Sequence, residues 1–155
     1  MERKTKIDAE NGKQEVVITR EFDLPLALLF KAYSEAEIVE QWMGTKVLKL
    51  ENKKHGGWEF ETKNAEGKVV FQASGVIHDF VRDQKIVRTF EMGNAPFDVQ
   101  LEFLEFEKLT ENTSKLVMKS IYRSVALRDQ VLALPFAYGI NMAHNRLEEI
   151  VNKLK

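Results

Sequence analysis

The chain has 155 residues, 23 Lys and Arg against 24 Asp and Glu, and no cysteine. That length predicts one domain, 1–155, with a real core. Interspersed charges of both signs argue against a nucleic-acid footprint or a polybasic membrane anchor, and the missing cysteine removes disulfides, thiolate nucleophiles and thiolate metal sites.

Residues 1–13 are charged and polar. They lack the apolar stretch of a signal peptide and are expected to be poorly ordered or to extend a sheet edge. No run is long enough to span a bilayer, so the cytoplasm is the expected compartment. Gln14 to Phe22 is rich in β-branched residues and predicts a first strand. Asp23 and Pro25 mark a helix start, after which Leu26, Leu29, Phe30 and Tyr33 recur at helical spacing. Ser34, with Glu37 three residues on, has the pattern of a capping box, predicting a second short helix to about Gln41. Trp42 sits at its end and Gly44 stops it.

Strands are then predicted at roughly 46–51, 57–62, 68–80, 85–92, 97–106 and 115–122, with turn signals at 64–67, 82–84, 93–96 and 110–114. Connections this short predict antiparallel hairpins. Alternation places Trp58 and Phe60, then Phe71, Ala73, Gly75 and Ile77, on one face. Ile86, Arg88, Phe90 and Met92 join them, as do Val99, Leu101 and Phe103, and finally Leu116, Met118, Ser120 and Tyr122. Glu59, Glu61, Thr89, Glu91, Gln100, Glu102, Val117 and Lys119 are assigned to the opposite, solvated face.

A short helical stretch is predicted over 125–133, and Pro135 interrupts it. The pattern restarts with Phe136, Gly139, Ile140, Ala143, Leu147, Ile150, Val151 and Leu154 on one helix face. Glycine inside a helix costs ~1 kcal/mol relative to alanine, so Gly139 reads as a point of close approach to the sheet or to a ligand. One long amphipathic helix over a curved sheet leaves a space where a small apolar ligand would sit.

Several of these residues carry a family likeness. Ile86 to Glu91 followed by Pro96, Gly75 to Asp79 upstream, Arg128 with Asp129, Gly139, Asn141, and Arg146 with Leu147 resemble the activator of heat-shock protein 90 ATPase homologue-like family. The helix around Phe30 to Tyr33 leading into Trp42 and Gly44 is similar too, so the likeness spans nearly the whole chain. It implies an α+β helix-grip fold of the START and birch-pollen-allergen-like type. Such a fold has six to seven antiparallel strands curled round a long C-terminal helix, with two short helices after the first strand. It also implies three functional classes: hydrophobic-ligand binder, chaperone-ATPase modulator, and polyketide cyclase or dehydratase. Pro135 and Phe136 depart from the family's glycine and methionine, adding bulk beside the expected cavity.

The expected lining is Phe30, Tyr33, Trp42, Trp58, Phe60, Ile77, Arg88, Phe90, Tyr122, Phe136 and Ile140. Trp42 and Trp58 could cap a ligand or pack in the core. An inward guanidinium at Arg88 must either anchor a ligand carboxylate or phosphate or meet an internal acid. His55 precedes two glycines in a turn, His78 points outward, and His144 lies at the edge of the last helix. His144 and Glu148 read as a surface polar pair rather than metal ligands. Ser74, Ser120 and Ser124 lack the glycine context of a nucleophile elbow. Asp129 reads as a helix cap beside Arg128, and Gly56 with Gly57 as a turn or bulge.

No catalytic set, metal or cofactor is expected. Cyclase-type chemistry would have to use Tyr33, Tyr122 or Arg88 to polarise a carbonyl. The expected partner is a small hydrophobic or amphipathic molecule, with a chaperone as the alternative, no nucleic acid and no membrane. The oligomeric expectation is a monomer, or a weak homodimer paired through a sheet edge.

Overall fold

A computed structural model describes residues 4–93, 95 and 97–155. Met1, Glu2 and Arg3 in the expected terminal extension, and Asn94 and Pro96 in the turn expected at 93–96, lie outside the described residues. In chain order the elements are β1 Lys6–Asp8, β2 Glu15–Phe22, α1 Leu26–Ser34, α2 Ala36–Met43, β3 Lys46–Leu50, β4 Gly57–Lys63, β5 Val69–Val81, β6 Lys85–Met92, β7 Gln100–Lys108, β8 Ser114–Ile121, α3 Val125–Ala133 and α4 Phe136–Asn152. Among the described residues, eight strands form one antiparallel sheet in the order β1-β2-β8-β7-β6-β5-β4-β3. This is the helix-grip arrangement, with β1 adding one strand to the six or seven expected.

Register shifts interrupt the β3–β4, β4–β5 and β5–β6 ladders. Such bulges bend a strand and increase its local twist. The concave face so formed receives the helices. Alternation in β2 sends Val16, Ile18, Arg20 and Phe22 inward, all buried. The C-terminal half of α4 closes one end of the core, with Leu147 and Val151 in the cluster of Phe22, Leu29, Phe106 and Leu116. Its N-terminal half does something different: Phe136 and Ile140 pack beside Val16, Ile18, Tyr122 and Val131. Residues of both clusters line the cavity described below.

Some local expectations require correction. Ser34 is not a helix cap, because α1 runs through it. Glu35 takes the cap position of α2 without a side-chain hydrogen bond, and Asn52 Nδ2 donates to the Ser34 carbonyl at 2.7 Å. The indole Nε1 of Trp42 donates to the Ala32 carbonyl at 2.6 Å, tying α2 to α1. Gly44 ends α2 in the left-handed conformation at φ 64°.

The restart after Pro135 falls where the sequence places it. The cap of α3 is Ser124, whose hydroxyl accepts from the Leu127 amide at 3.1 Å. Asp129 instead accepts from Arg128 Nε at 3.2 Å and Nη2 at 2.9 Å. Arg128, buried, also donates to the carbonyls of Glu10 and Glu15, so it staples the segment between β1 and β2.

The parity of β7 is opposite to that expected. Glu102, Leu104 and Phe106 are buried inward, while Leu101 and Phe103 take the other face and Val99 is 44% exposed, ahead of the strand. Both faces of this strand carry apolar side chains, so alternation alone allows two registers. Core demand at Leu104 and Phe106, and the position of Arg88 directly opposite Glu102, select between them.

The close approach expected at Gly139 is not there: a Cβ added to it would meet nothing within 4 Å. Crowding is found instead at Gly75, where a Cβ would fall 1.9 Å from the Thr89 carbonyl oxygen and 2.6 Å from Trp58 Nε1, and at Gly56, where it would fall 2.1 Å from the Glu51 carbonyl oxygen. Among the described residues, no helix is long and apolar enough to cross a membrane.

Candidate functional site

Between the sheet and α4 lies a cavity of about 440 Å³. The first two helices supply Tyr33, Val39, Trp42 and Met43 to its wall; β4 to β6 supply Phe60, Phe71, Arg88, Phe90 and Met92. From the other side come Gln100, Glu102, Met118, Ser120 and Tyr122, and the cover is formed by Val131, Leu134, Phe136, Ile140, Ala143, His144 and Arg146. Phe97 and Asp98 complete it.

The wall therefore contains Tyr33, Trp42, Phe60, Arg88, Phe90, Tyr122, Phe136 and Ile140 from the expected set. Phe30, Trp58 and Ile77 are not part of it. Phe30 packs edge-on against Phe80 at 5.4 Å and Phe106 at 5.0 Å beneath α1. Trp58 lies behind Arg88 and donates from Nε1 to the Thr89 carbonyl at 3.1 Å. Ile77 sits with it, among Val39, Phe60 and Ala73. Strand parity puts a side chain on the concave face, but it does not say which part of that face the short helices already cover.

The polar centre of the wall is Arg88 and Glu102. Arg88 Nε donates to Glu102 Oε1 at 2.9 Å, and Gln100 Nε2 donates to Glu102 Oε2 at 2.9 Å. The guanidinium carbon also lies 4.9 Å from the centroid of the Trp58 ring, a cation–π contact. The two side chains are only 12% and 4% exposed, so this is a buried ion pair, the internal-acid alternative for Arg88. Strand alternation places Glu102 on the solvated face, so the sequence alone does not show this acid.

Tyr33 and Tyr122 stand near this pair. Burial raises the Tyr33 hydroxyl above its usual range, Arg88 opposing and Glu102 adding. Burial pushes Tyr122 up to about 12, with Glu102 adding and Ser120 and Arg128 opposing. Both phenols are therefore hydrogen-bond donors at neutral pH. Ser120 Oγ is buried beside the Tyr122 hydroxyl.

His144 is not a surface residue. It is 5% exposed, its Nδ1 lies 2.8 Å from the Thr5 hydroxyl, and its ring meets Phe22 edge-on at 5.5 Å. Burial, and next the charge of Arg20, lower its pKa to about 4, so at neutral pH the imidazole is uncharged. Glu148, its expected partner, instead accepts from the Asp23 amide at 2.9 Å and faces Arg20 Nη2 at 3.5 Å. The signal for His144 was in the spacing: it lies four residues after Ile140 and three before Leu147, within the buried stripe of α4. His55 and His78 face each other with ring centroids 6.3 Å apart, away from the cavity wall. Among the described residues, no three His, Asp or Glu side chains converge as metal ligands would.

The family described as Activator of Hsp90 ATPase homolog 1-like protein matches residues 23–152. No curated protein matches the sequence. Solved structures match over nearly the full length. A Rhodobacter sphaeroides protein has a TM-score of 0.85 at 16% identity, covering 96% of this chain and 99% of its own. Protein Ms6760 from Mycobacterium smegmatis has a TM-score of 0.81 at 15% identity, with 94% and 95% covered. An Arthrobacter aurescens protein has a TM-score of 0.84 at 13% identity, with 96% and 91% covered. At such identities the likeness is one of fold.

Proposed function

This chain belongs to the Activator of Hsp90 ATPase homolog 1-like family, and from that premise we propose that it binds one small hydrophobic or amphipathic molecule in the cavity between the sheet and α4. The observation that carries this reading is the cavity itself. At about 440 Å³ it falls within the roughly 300–1,000 Å³ of small-molecule sites, and it far exceeds the gaps left by ordinary core packing. Phe60, Phe90, Met118, Phe136 and Ile140 offer apolar surface, while Arg88, Tyr33 and Tyr122 supply a few directed donors, the usual composition of a site that orients an apolar ligand.

Native mass spectrometry of the protein mixed with a panel of lipids and aromatic compounds tests this. The expected result is a one-to-one complex that Ala143→Phe, which fills the cavity from α4, abolishes without unfolding the protein. No occupancy by any member of the panel would refute it.

The family's name supports a second reading, a module that stimulates a chaperone ATPase. ATP hydrolysis by a cognate Hsp90, measured with the wild-type protein and with Ala143→Phe, separates the two. Stimulation by both proteins alike would favour the interaction module, because it would not depend on the cavity.

A further inference from the structure

Resting on the ligand-binding reading above, the chemistry of the wall narrows the class of ligand. Each oxygen of Glu102 already accepts a hydrogen bond, from Arg88 Nε and Gln100 Nε2. Neither terminal nitrogen of Arg88 donates to a described residue, and the guanidinium carbon lies 4.9 Å from the Trp58 ring centroid. Tyr33 and Tyr122 add protonated hydroxyls on the same wall, and His144 is uncharged there at neutral pH. The wall thus offers several donors, and its two carboxylates are already engaged, Glu102 by Arg88 and Gln100 and Asp98 by Val99 and Arg123.

Its charge is balanced as well. A ligand carboxylate set against the terminal nitrogens of Arg88 would gain that cation but also meet Glu102 across the same guanidinium. The two Coulomb contributions oppose each other, and the dehydration of the ligand's charge remains uncompensated. A carbonyl or hydroxyl oxygen takes the same donors with little dehydration. Two further charges line the cavity. Asp98 is paired with Arg123. Arg146 is exposed and donates to the Trp42 carbonyl at 3.1 Å, and an ion pair made there in water contributes little.

We infer that the cavity selects a neutral molecule bearing a hydrogen-bond-accepting oxygen, a ketone, ester or alcohol on an apolar body, over the matching carboxylate. The buried Arg88–Glu102 pair is the specificity-determining element.

The test titrates decanol, methyl octyl ketone and decanoate into the full-length protein at neutral pH, followed by calorimetry and by the fluorescence of Trp42 on the wall. The wild-type protein is expected to bind the ketone or the alcohol at least about tenfold more tightly than decanoate. Glu102→Gln removes the charge and keeps the shape and an acceptor for Arg88 Nε. It is expected to tighten decanoate by about tenfold or more while moving the neutral ligands far less.

Decanoate bound as tightly as the ketone by the wild-type protein would overturn the inference, as would a Glu102→Gln preference unchanged from wild type. Decanoate binding that disappears in Arg146→Ala would overturn it too, by placing the head group at the exposed arginine. If none of the three ligands binds, nor any member of the wider panel, the ligand reading itself falls and this inference with it. Should Glu102→Gln fail to fold, the wild-type ranking decides alone.

Discussion

Arg88 on β6 and Glu102 on β7 are directly opposed in the antiparallel ladder and joined by a 2.9 Å hydrogen bond at the floor of the cavity. Cross-strand pairing fixes the two backbones, so the side chains meet without a large search of rotamers. Removing one member leaves an uncompensated buried charge. Glu102→Ala is expected to destabilise the fold by about 3 kcal/mol, whereas Arg88→Met with Glu102→Leu together should recover most of that loss. Urea denaturation midpoints of the two variants check it. A double variant no more stable than Glu102→Ala would show that the cost comes from packing and not from the orphaned charge.

His144 gives the protein an acid sensitivity with a defined window. Its folded pKa of about 4 lies below the value of about 6.5 expected for an unfolded histidine. Between those values the unfolded chain binds a proton that the folded one does not. The stabilisation is therefore fully present above about pH 6.5 and is lost as pH falls toward 4, up to about 3 kcal/mol in all. The groups facing the imidazole are the Thr5 hydroxyl, the Phe22 ring and the Arg20 guanidinium. Denaturant titrations across that range should show a slope that His144→Gln flattens; an equal slope in the variant would assign the acid sensitivity to other groups.

Arg20 is a buried charge with incomplete satisfaction. Nη1 donates to Asn145 Oδ1 at 2.8 Å and to the Thr5 hydroxyl at 3.3 Å, yet Nε and Nη2 have no hydrogen-bond partner among the described residues. Glu148 lies 3.5 Å from Nη2, and burial lowers the guanidinium pKa. Arg20→Met leaves Glu148 the Asp23 amide and Lys4, whereas Glu148→Ala leaves the buried guanidinium without its counter-charge. Glu148→Ala is therefore expected to be the more destabilising, by about 2–3 kcal/mol relative to the wild type. The reverse order in thermal melts would mean that Arg20 is better satisfied than its bonds suggest.

Gly75 and Gly139 make opposite predictions. Gly75→Ala would drive a Cβ into the Thr89 carbonyl at the β5–β6 contact and is expected to destabilise by more than about 2 kcal/mol. Gly139→Ala adds a methyl group with nothing within 4 Å, inside a helix, and is expected to stabilise by about 0.5–1 kcal/mol. Destabilisation by Gly139→Ala would restore the close approach that the helix pattern suggested.

Those glycines also show where the sequence was legible and where it was not. The order of strands and helices, the break at Pro135 and the stop at Gly44 follow from local rules of turn, cap and period, and local rules act within a few residues. The parity of β7 does not, because Leu101 and Phe103 compete with Leu104 and Phe106 and only the partner strand decides. Ser34 has no capping role because α1 continues through it and Glu35 takes the cap position of α2. At the site, the aromatic side of the wall was readable from periodicity. Glu102 and His144 were not, since a buried polar residue looks solvated until the residue that satisfies it is seen.

The most direct test of ligand binding in the cavity is an amide correlation spectrum of the protein titrated with methyl octyl ketone. Saturable shifts are expected at Tyr33, Phe90, Tyr122 and Ile140, which line the cavity from α1, β6, the end of β8 and α4, with little change at exposed Leu48 and Val76. Shifts confined to the outer surface, or none at saturating ketone, would contradict the account.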